Sequence, residues 1–395
     1  MELEQFIFLK SKTSDHDNVT QHDTDIFLSK MDYKNIPFDG KIFFIQSGGT
    51  EEIFKSIYQN YKEPFYLLAT DANNSLPAVL EIISYLKKNN LSYYVFHGKP
   101  EDIKNQIINI RKPIQFNYQL KQNLHILQGL SLGVIGKPSD WLIASNVDYK
   151  NVYDVFGAKM IDIPFDEFKN EIKLDKDIDI TKYSSYINEK ITESEIKKAL
   201  AIYNALKRIV KKYNLSGITV RCFDLLSSVH STSCLALALL NDEGIVSACE
   251  GDIPSLITMM IVKRMFRKYS FQCNPSYVDF KNNIIYLAHC TIPLKMCESY
   301  YLDTHFESGI GVAIKGTLKT KPHVCILKFD SSFKYFSLYS GHIEENMNKN
   351  NLCRTQLKIR LYEPVEEILS SPCGNHLIVF YSENKEEVLK SLAIL

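Results

Sequence analysis

The residue types best suited to chemistry stand together in SACEGDIPS, residues 247–255. Glu250 ends an apolar segment that is typical of a buried strand, and Asp252 opens an apolar segment that is typical of a helix. A carboxylate at a buried position needs a cation, a metal or a catalytic task. Asp252 has an ordinary explanation as the N-cap of the helix, because its side chain can accept from free backbone N–H groups. Glu250 has no such explanation, so we predict that it is functional.

Histidines follow later strand-like segments of the chain. His289 lies in YLAHCTIP and His376 in PCGNHLIVFY, while His305 and Glu307 stand two positions apart in HFESG. On a strand, that spacing would place both side chains on one face, as a metal site, a salt bridge or a substrate contact. Each histidine alone is also compatible with a structural role. Together with Glu250, the set supplies carboxylate and imidazole groups without thiolates, which suits Mn²⁺, Mg²⁺, Fe²⁺ or Co²⁺ better than structural zinc.

Two N-terminal motifs occupy places where binding loops are expected. SGGTE (47–51) follows a predicted strand, either as a backbone anion site at a helix N-terminus or as a plain strand-to-helix turn. NNSLP (73–77) follows the next strand and offers side-chain amides and a hydroxyl. Asn74 or Ser75 could instead serve only as the N-cap of the helix that follows.

The elements that must position these residues fall into three predicted domains. Residues 1–125 alternate strands (41–46, 64–70 and 91–98) with helices, which indicates a parallel α/β sheet with functional loops at the carboxyl ends of its strands. A second α/β unit is predicted over 126–270, with WLIASN (141–146) among its strands. Residues 271–395 are Thr-, Tyr-, Val- and Ile-rich and predict a mostly antiparallel β-rich domain that ends in a helix.

Composition narrows the class of protein. Lys+Arg 46 balances Asp+Glu 46, so the chain lacks the basic surplus of a nucleic-acid-binding protein. Its start has no secretory signal pattern, and no apolar stretch is long enough for a transmembrane helix, which predicts a soluble cytoplasmic protein with no membrane partner. The 9 cysteines include no C-x-x-C pair, which favours reduced buried thiols over a zinc site or a disulfide framework.

These motifs resemble the L-fucose isomerase/L-arabinose isomerase superfamily, especially its shorter L-fucose isomerase-like members. The resemblance spans most of the chain and is carried by SGGTE, NNSLPAVLEIISYL, SACEGDIPSLITM, LAHCTIP, HFESG and CGNH. It implies two Rossmann-like α/β domains followed by a β-rich C-terminal domain. It also implies an aldose–ketose isomerase that acts on a free sugar through a metal-stabilised enediol. The implied cofactor is Mn²⁺ or another divalent ion such as Mg²⁺ or Co²⁺, and the implied assembly is a homo-oligomer, a trimer or a hexamer.

The resemblance also assigns roles to individual residues. Glu250 is the expected metal ligand and base, and His289 and His376 complete the metal shell. Asn274 stands where the related isomerases carry a second metal-binding carboxylate, and it can offer only an amide oxygen. Asp279 could act as the second catalytic carboxylate if the loop shifts. The predicted substrate contacts are Asn74, Ser75, Glu51, His305, Glu307 and Asn375.

Two further functions remain open at the level of sequence. Asn274 in place of a carboxylate favours a sugar-binding or regulatory protein that kept the fold and lost catalysis. A related metal-dependent enzyme could instead act on a modified or acidic sugar, with SGGTE or Arg221 binding the anion.

Overall fold

Two parallel sheets and one antiparallel barrel organise the computed structural model, which describes residues 1–11, 21–113, 117–120, 123–175 and 177–392. The first sheet is 4-stranded and parallel, in the order β1-β2-β3-β4. Its strands are β1 (Phe6–Leu9), β2 (Ile42–Ile45), β3 (Phe65–Ala69) and β4 (Tyr93–His97). The helices of this unit are α1 (Gln21–Met31), α2 (Glu51–Ile57), α3 (Ser75–Lys88) and α4 (Pro100–Ile108). The three strands predicted from the sequence are confirmed. Strand β1 was not predicted, because a run of four residues carries too little periodicity.

A short strand, β5 (Tyr118–Gln119), lies near the end of the predicted N-terminal domain. It lies within residues 1–125 but joins neither parallel sheet. Instead, Tyr118 pairs with Phe336 in the antiparallel sheet. The end of the predicted N-terminal domain is therefore part of the barrel's hydrogen-bonding network.

The second sheet is also 4-stranded and parallel, in the order β7-β6-β8-β9. Its strands are β6 (Ser131–Ile135), β7 (Lys159–Ile163), β8 (Gly217–Val220) and β9 (Val246–Cys249). The helices of this unit are α5 (Tyr149–Phe156), α6 (Phe165–Ile172), α7 (Glu193–Lys212), α8 (Asp224–Ser228), α9 (Cys234–Asp242) and α10 (Ile253–Ile261). A π-helical turn, Val262–Phe266, extends α10.

The prediction of a strand over 141–146 is wrong. The backbone N–H groups of Ala144 and Ser145 donate to Glu81 Oε1 at 2.8 and 3.0 Å, rather than to a neighbouring strand. Every buried backbone N–H needs an acceptor, and a buried carboxylate can serve as that acceptor in place of the carbonyl groups of a neighbouring strand. The segment is therefore an irregular loop that is fastened to α3.

The C-terminal region forms a 7-stranded antiparallel sheet in the order β14-β17-β10-β11-β16-β15-β5. An additional pairing of β14 with β15 closes it into a barrel, with β5 as an outer strand on β15. The elements from here to the end are β10 (Phe271–Asp279), β11 (Ile284–His289), β12 (Ser299–Asp303), β13 (Ala313–Thr317), β14 (His323–Phe329), β15 (Tyr335–Asn346), β16 (Thr355–Leu361), α11 (Glu366–Ser370), β17 (Leu377–Tyr381) and α12 (Lys385–Leu392). Strands β12 and β13 pair separately.

Apolar packing joins these units around the region that holds the candidate residues. Leu76 and Ile83 of α3 belong to the same buried cluster as Phe271 and Val278 of β10. The helix therefore packs on the barrel as well as on its own sheet, which fixes the loop before α3 relative to the barrel strands. Among the described residues, no helix is both long and apolar enough to cross a membrane.

His97 adds a polar link between the first sheet and the barrel. It is fully buried at the end of β4, with Nδ1 3.1 Å from the Ala69 carbonyl oxygen. Its Nε2 accepts from the Val278 N–H at 3.1 Å. Because Val278 N–H can only donate, the histidine is neutral with its proton on Nδ1.

Acidification is expected to destabilise the protein through His97. Burial lowers the pKa of His97 to about 4, from an ordinary value of 6.5. Between these values the unfolded chain binds a proton that the folded chain does not. The free energy of unfolding should therefore fall by on the order of 3 kcal/mol as the pH decreases through this window.

Urea unfolding of the wild type and of His97→Gln between pH 7 and pH 4 tests this pH dependence, because glutamine preserves a donor and an acceptor without titrating. The wild type's advantage in unfolding free energy should shrink toward acid. An advantage that stays constant with pH would contradict the assignment.

Candidate metal centre

Glu250 is held in an unusual backbone conformation at the end of β9. Glu250 and Gly251 both have positive φ angles, 64° and 71°, and the Asp252 N–H closes the turn on the Cys249 carbonyl at 3.2 Å. A Cβ on Gly251 would lie 2.6 Å from the Lys137 carbonyl oxygen, so no other residue fits there. A left-handed backbone is unfavourable for glutamate and is found where the surroundings over-determine it, often at functional sites.

Three predicted ligands converge at this turn. The Glu250 Oε1 atom lies 3.4 Å from His376 Nε2 and 3.9 Å from His289 Nε2. Ligand atoms of the three side chains lie within 4.8 Å of one another, and all three residues are buried. The strands explain the meeting, because β10 pairs with β17 on one side and β11 on the other. His376 directly precedes β17, and His289 ends β11.

Asp252 fixes the orientation of His376. The Asp252 carboxylate lies 2.8 Å from His376 Nδ1 and accepts from Lys328 Nζ at 2.8 Å. It also caps α10, as predicted, by accepting from the Ser255 N–H at 2.7 Å. Burial alone would raise the pKa of Asp252, but Lys328 and His376 hold it well below its usual range. The ionised carboxylate can only accept, so His376 Nδ1 carries a proton and its Nε2 faces Glu250.

His289 is oriented in the same manner by a hydroxyl group. Its Nδ1 lies 3.1 Å from Thr291 Oγ1, which leaves Nε2 directed toward Glu250. Asn274 lies on the adjacent strand, opposite Ala288 in the register of β10 and β11. The two imidazoles therefore present the same nitrogen to one point, which is the arrangement seen where outer hydrogen bonds position metal-binding histidines.

The electrostatics of the cluster favour a bound cation. Burial would raise the pKa of the Glu250 carboxyl, but His376 and His289 hold it well below its usual range. Burial would lower the pKa of His376, but Glu250 and Asp252 raise it to about 9. The carboxylates thus hold positive charge at this position, which a divalent ion can supply when the imidazoles are neutral.

Unpartnered polar atoms support the fit of a metal ion. His376 Nε2 and Asn274 Oδ1 are both buried without a hydrogen-bond partner, although buried polar atoms are nearly always paired. Of the residues that the structure describes, only Glu250, His289 and His376 form a group of three potential ligands. One carboxylate, two imidazoles and a nearby amide oxygen suit Mn²⁺ or a similar ion.

A cavity of about 30 Å³ opens beside these ligands. Such a volume is room for about two water molecules. The cavity is lined by Asn74, Cys222, Phe223, Leu226, Thr232, Cys234, Cys249, Glu250, Asn274, His289, Cys290, His305, Glu307 and Cys353. Five of the residues in this wall are cysteines. All 9 cysteines of the chain are free thiols, as their spacing predicted.

Trp141 is a functional neighbour that the sequence analysis missed. Its Nε1 donates to Glu250 Oε2 at 2.8 Å, and its ring packs edge-on against Phe223 at 4.9 Å. Trp141 is the single tryptophan of the chain, a signal that could have singled it out. It lies in the irregular loop that Glu81 fastens.

Trp141 should report metal binding directly. Because its indole is bonded to Glu250, binding of paramagnetic Mn²⁺ should quench its fluorescence in a saturable way. His289→Ala should raise the dissociation constant for Mn²⁺ at least ~10-fold, because it removes a ligand nitrogen and leaves the indole in place. Fluorescence that does not respond to Mn²⁺, or equal affinity in the two proteins, would contradict the proposed ligand set.

Several predicted residues do not reach the cavity. Asp279 ends β10, where its carboxylate accepts from the backbone and side chain of Asn282 at 3.0 and 2.8 Å. The structure thus places it at the end of β10, where the turn to β11 begins, and not in the cavity wall. The Ser75 hydroxyl bonds the Thr70 N–H at 3.0 Å and the Ile45 carbonyl, so it fastens two strand ends.

Two further predicted contacts are buried and lie outside the cavity wall. Glu51 is 1% exposed, and burial together with nearby Glu81 and Glu250 raises its pKa well above the usual range, so it is a neutral acid. Asn375 is 4% exposed, and its N–H donates to Glu81 Oε2 at 3.1 Å. Neither side chain lines the cavity.

The HFESG pair reaches the cavity from a turn rather than from a strand. His305 and Glu307 lie in a tight turn between β12 and β13, which the Gly309 N–H closes on the His305 carbonyl at 2.9 Å. His305 Nδ1 lies 3.0 Å from Ser308 Oγ, and Glu307 Oε1 accepts from Asn74 Nδ2. Serine and glycine in this motif favour a turn, which explains the difference.

Arg221 does not face the cavity either. Its guanidinium donates to Asp224 at 3.0 Å, to the Pro138 carbonyl at 2.7 Å and to Asp140 Oδ1 at 3.2 Å. Two carboxylates thus accept hydrogen bonds from Arg221, and its bond to the Pro138 carbonyl stabilises the loop that leads to Trp141. The structure gives Arg221 no role in binding an anionic substrate.

Two buried charged residues were missed by the sequence analysis. Lys328 is fully buried on β14 beside Asp252, and Glu81 is fully buried on α3. Each is a lone charge in an apolar segment, HVCILKF and PAVLEIISYL respectively. A single charge at an apolar position was the available signal, since such charges are rarely buried without partners.

Comparison with known proteins gives relatives of one kind. No protein-family model matches the chain. The chain is 23% identical over 224 residues to a protein named sulfoquinovose isomerase from Alkalicoccus urumqiensis, covering 55% of this chain and 49% of the relative. It is 24% identical over 203 residues to a protein of the same name from Clostridium sp. (strain MSTE9), covering 48% and 44%. The chain spans about half the length of the curated relatives it matches.

Proposed function

We propose that this protein is a metal-dependent aldose–ketose isomerase. The observation that carries the proposal is the buried convergence of Glu250, His289 and His376, with an unpartnered nitrogen on His376. The names of the curated relatives support the same reaction class, since both are sugar isomerases. Mn²⁺ is the ion that we propose, and a homo-oligomer is the assembly that the sequence resemblance implies.

The chain's own residues would hold the ion and keep it in place. Glu250, His289 and His376 are the ligands, and Asn274 offers an amide oxygen as a further ligand or a hydroxyl contact. Asp252 and Thr291 keep the two imidazoles oriented. When bound, the ion supplies Lewis-acid polarisation of the sugar's carbonyl and hydroxyl oxygens, which stabilises the charge of an enediolate.

The cavity favours an uncharged sugar. Among the described residues that line it, none is Lys or Arg, while Glu250 and Glu307 both contribute carboxyl groups. Against these described residues, a sulfonate would lose hydration without gaining a lysine or arginine partner. Asn74 and His305 can bond sugar hydroxyls, and Phe223 contributes an apolar wall. We therefore propose a neutral aldose as substrate, in contrast to the sulfonated sugar in the relatives' names.

Ketose formation from a panel of sugars tests the proposal. Metal-free protein is incubated with Mn²⁺ and with pentoses, hexoses, deoxyhexoses and sulfoquinovose, and a parallel series contains a chelator. We expect Mn²⁺-dependent conversion of a neutral aldose. Sugar binding without any conversion would contradict the isomerase and support the sugar-binding alternative that Asn274 suggests. Conversion of sulfoquinovose ahead of every neutral sugar would contradict only the choice of substrate.

A further inference from the structure

The proposed aldose–ketose isomerisation needs a group that accepts a proton from one carbon of the sugar and returns it to the neighbouring carbon. Two carboxylates line the cavity, those of Glu250 and Glu307. Glu250 is already committed, because Trp141 bonds its Oε2 and the imidazoles face its Oε1. The amide of Asn274 cannot accept a proton. Glu307 is therefore the carboxylate of the cavity wall that lies outside the proposed set of metal ligands.

The remaining titratable groups of the cavity wall are less suitable. Hydrogen bonds to Cys290 and burial raise the pKa values of Cys234 and Cys353 well above their usual range, so both are protonated. The same two contacts lower the pKa of the Cys290 thiol well below its usual range, so its sulfur accepts from both neighbouring thiols. His305 is 8% exposed, and its Nδ1 is engaged by Ser308.

Glu307 is held at the cavity from two sides. Its turn is closed by the Gly309 N–H on the His305 carbonyl at 2.9 Å. From the N-terminal unit, Asn74 Nδ2 donates to Glu307 Oε1. Asn74 itself has a positive φ angle of 54° at the start of α3. A Cβ on Gly48 would lie 3.0 Å from Asn74 Cβ, so the glycine of SGGTE gives this loop room.

We propose that Glu307 is the acid–base catalyst of the site, an inference that rests on the proposed isomerase function. Its carboxylate removes the proton from C2 of the open-chain aldose, and the C–H electron pair becomes the C1=C2 bond while the carbonyl pair moves to O1. The protonated Glu307 then returns the proton to C1, and the O2 proton passes to O1. The ketose forms with no net gain or loss of atoms or electrons.

Asn74 has a positioning role in this scheme. Its amide orients the carboxylate of Glu307, and the contact joins the loop before α3 to the β12–β13 turn across the cavity. Because the cavity holds only about 30 Å³, a sugar enters by separating these loops. Asn74 then supplies a hydroxyl contact while Glu307 faces the sugar carbons.

Glu307→Gln, with Asn74→Ala as matched control, tests the assignment in the Mn²⁺-loaded protein. The substrate is the aldose that the wild type converts fastest. Glutamine keeps the size of the side chain and an oxygen that can accept from Asn74, whereas Asn74→Ala removes that hydrogen bond and keeps the carboxylate. Dissociation constants for Mn²⁺, from Trp141 fluorescence, and for the sugar, from calorimetry, are measured beside kcat.

Glu307→Gln should lower kcat at least ~100-fold. Its dissociation constants for Mn²⁺ and for the sugar should each change less than about threefold. Asn74→Ala should retain more activity than Glu307→Gln. A smaller loss of kcat, weakened Mn²⁺ or sugar binding that accounts for the loss, or an equal loss in Asn74→Ala would overturn the assignment. A wild type that converts no aldose would instead contradict the proposed function, so the two failures are distinguishable.

Discussion

Replacing Lys328 by methionine is expected to lower the free energy of unfolding by about 3–5 kcal/mol. The Lys328 ammonium is fully buried and lies 2.8 Å from Asp252 Oδ2 and 2.6 Å from Ser255 Oγ. Its removal leaves the ionised Asp252 carboxylate in the interior without its lysine partner, so that His376 is the ion-pair partner that remains. Breaking a buried pair costs far more than the pair contributes, because the remaining charge cannot return to water.

Chemical denaturation measures this effect, and Lys150→Met is the matched control. Lys150 pairs with Asp154 on an exposed helix surface, where its side chain is 75% accessible. Solvent screens such a pair, so Lys150→Met should change the unfolding free energy by less than about 1 kcal/mol. Equal effects of the two substitutions would show that Lys328 does not balance a buried charge.

The second large effect is expected from Glu250→Gln, which should lower kcat/KM for the aldose by at least ~10³-fold. Glutamine preserves the shape of the side chain and an oxygen for the Trp141 bond. It removes the negative charge that holds a cation between His289 and His376. The measurement compares kcat/KM and the Mn²⁺ dissociation constant of the variant with those of the wild type.

Glu51→Gln is the matched control for Glu250→Gln. Glu51 is as buried as Glu250, but its pKa is raised well above the usual range by burial, so glutamine replaces a group that is already neutral. Its kcat/KM should stay within about threefold of the wild-type value. Activity that survives Glu250→Gln, or that falls equally in both variants, would contradict the role of Glu250.

The fold was predictable where the residue pattern is local. Alternating apolar strands and amphipathic helices predict β2, β3 and β4, and the Thr-, Tyr- and Val-rich segments predict antiparallel pairing. The closure of the barrel was not predictable, because it depends on β14 pairing with both β15 and β17. The loop 141–146 was predicted as a strand from its apolar residues. In the structure its backbone N–H groups donate to the Glu81 side chain instead of to a neighbouring strand.

The residue types of the candidate metal ligands were predictable from the sequence, but the residues that position those ligands were not. Local context singled out Glu250, because a carboxylate at a buried strand end needs a reason. His289 and His376 meet it only because β10 lies between their strands. The contacts of Trp141 and Lys328 join residues far apart in sequence, so no spacing rule reveals them. Asp279 was a candidate only because it lies five residues after Asn274 in the sequence, and the structure places it at the end of β10, outside the cavity wall.

The central claim is that Glu250, His289 and His376 together bind one divalent ion. Anomalous diffraction at the manganese edge, from crystals grown with Mn²⁺, tests it most directly. The expected result is a peak within bonding distance of a Glu250 carboxylate oxygen and of Nε2 of both His289 and His376. A peak coordinated by other side chains, or no peak between these three residues, would contradict the claim.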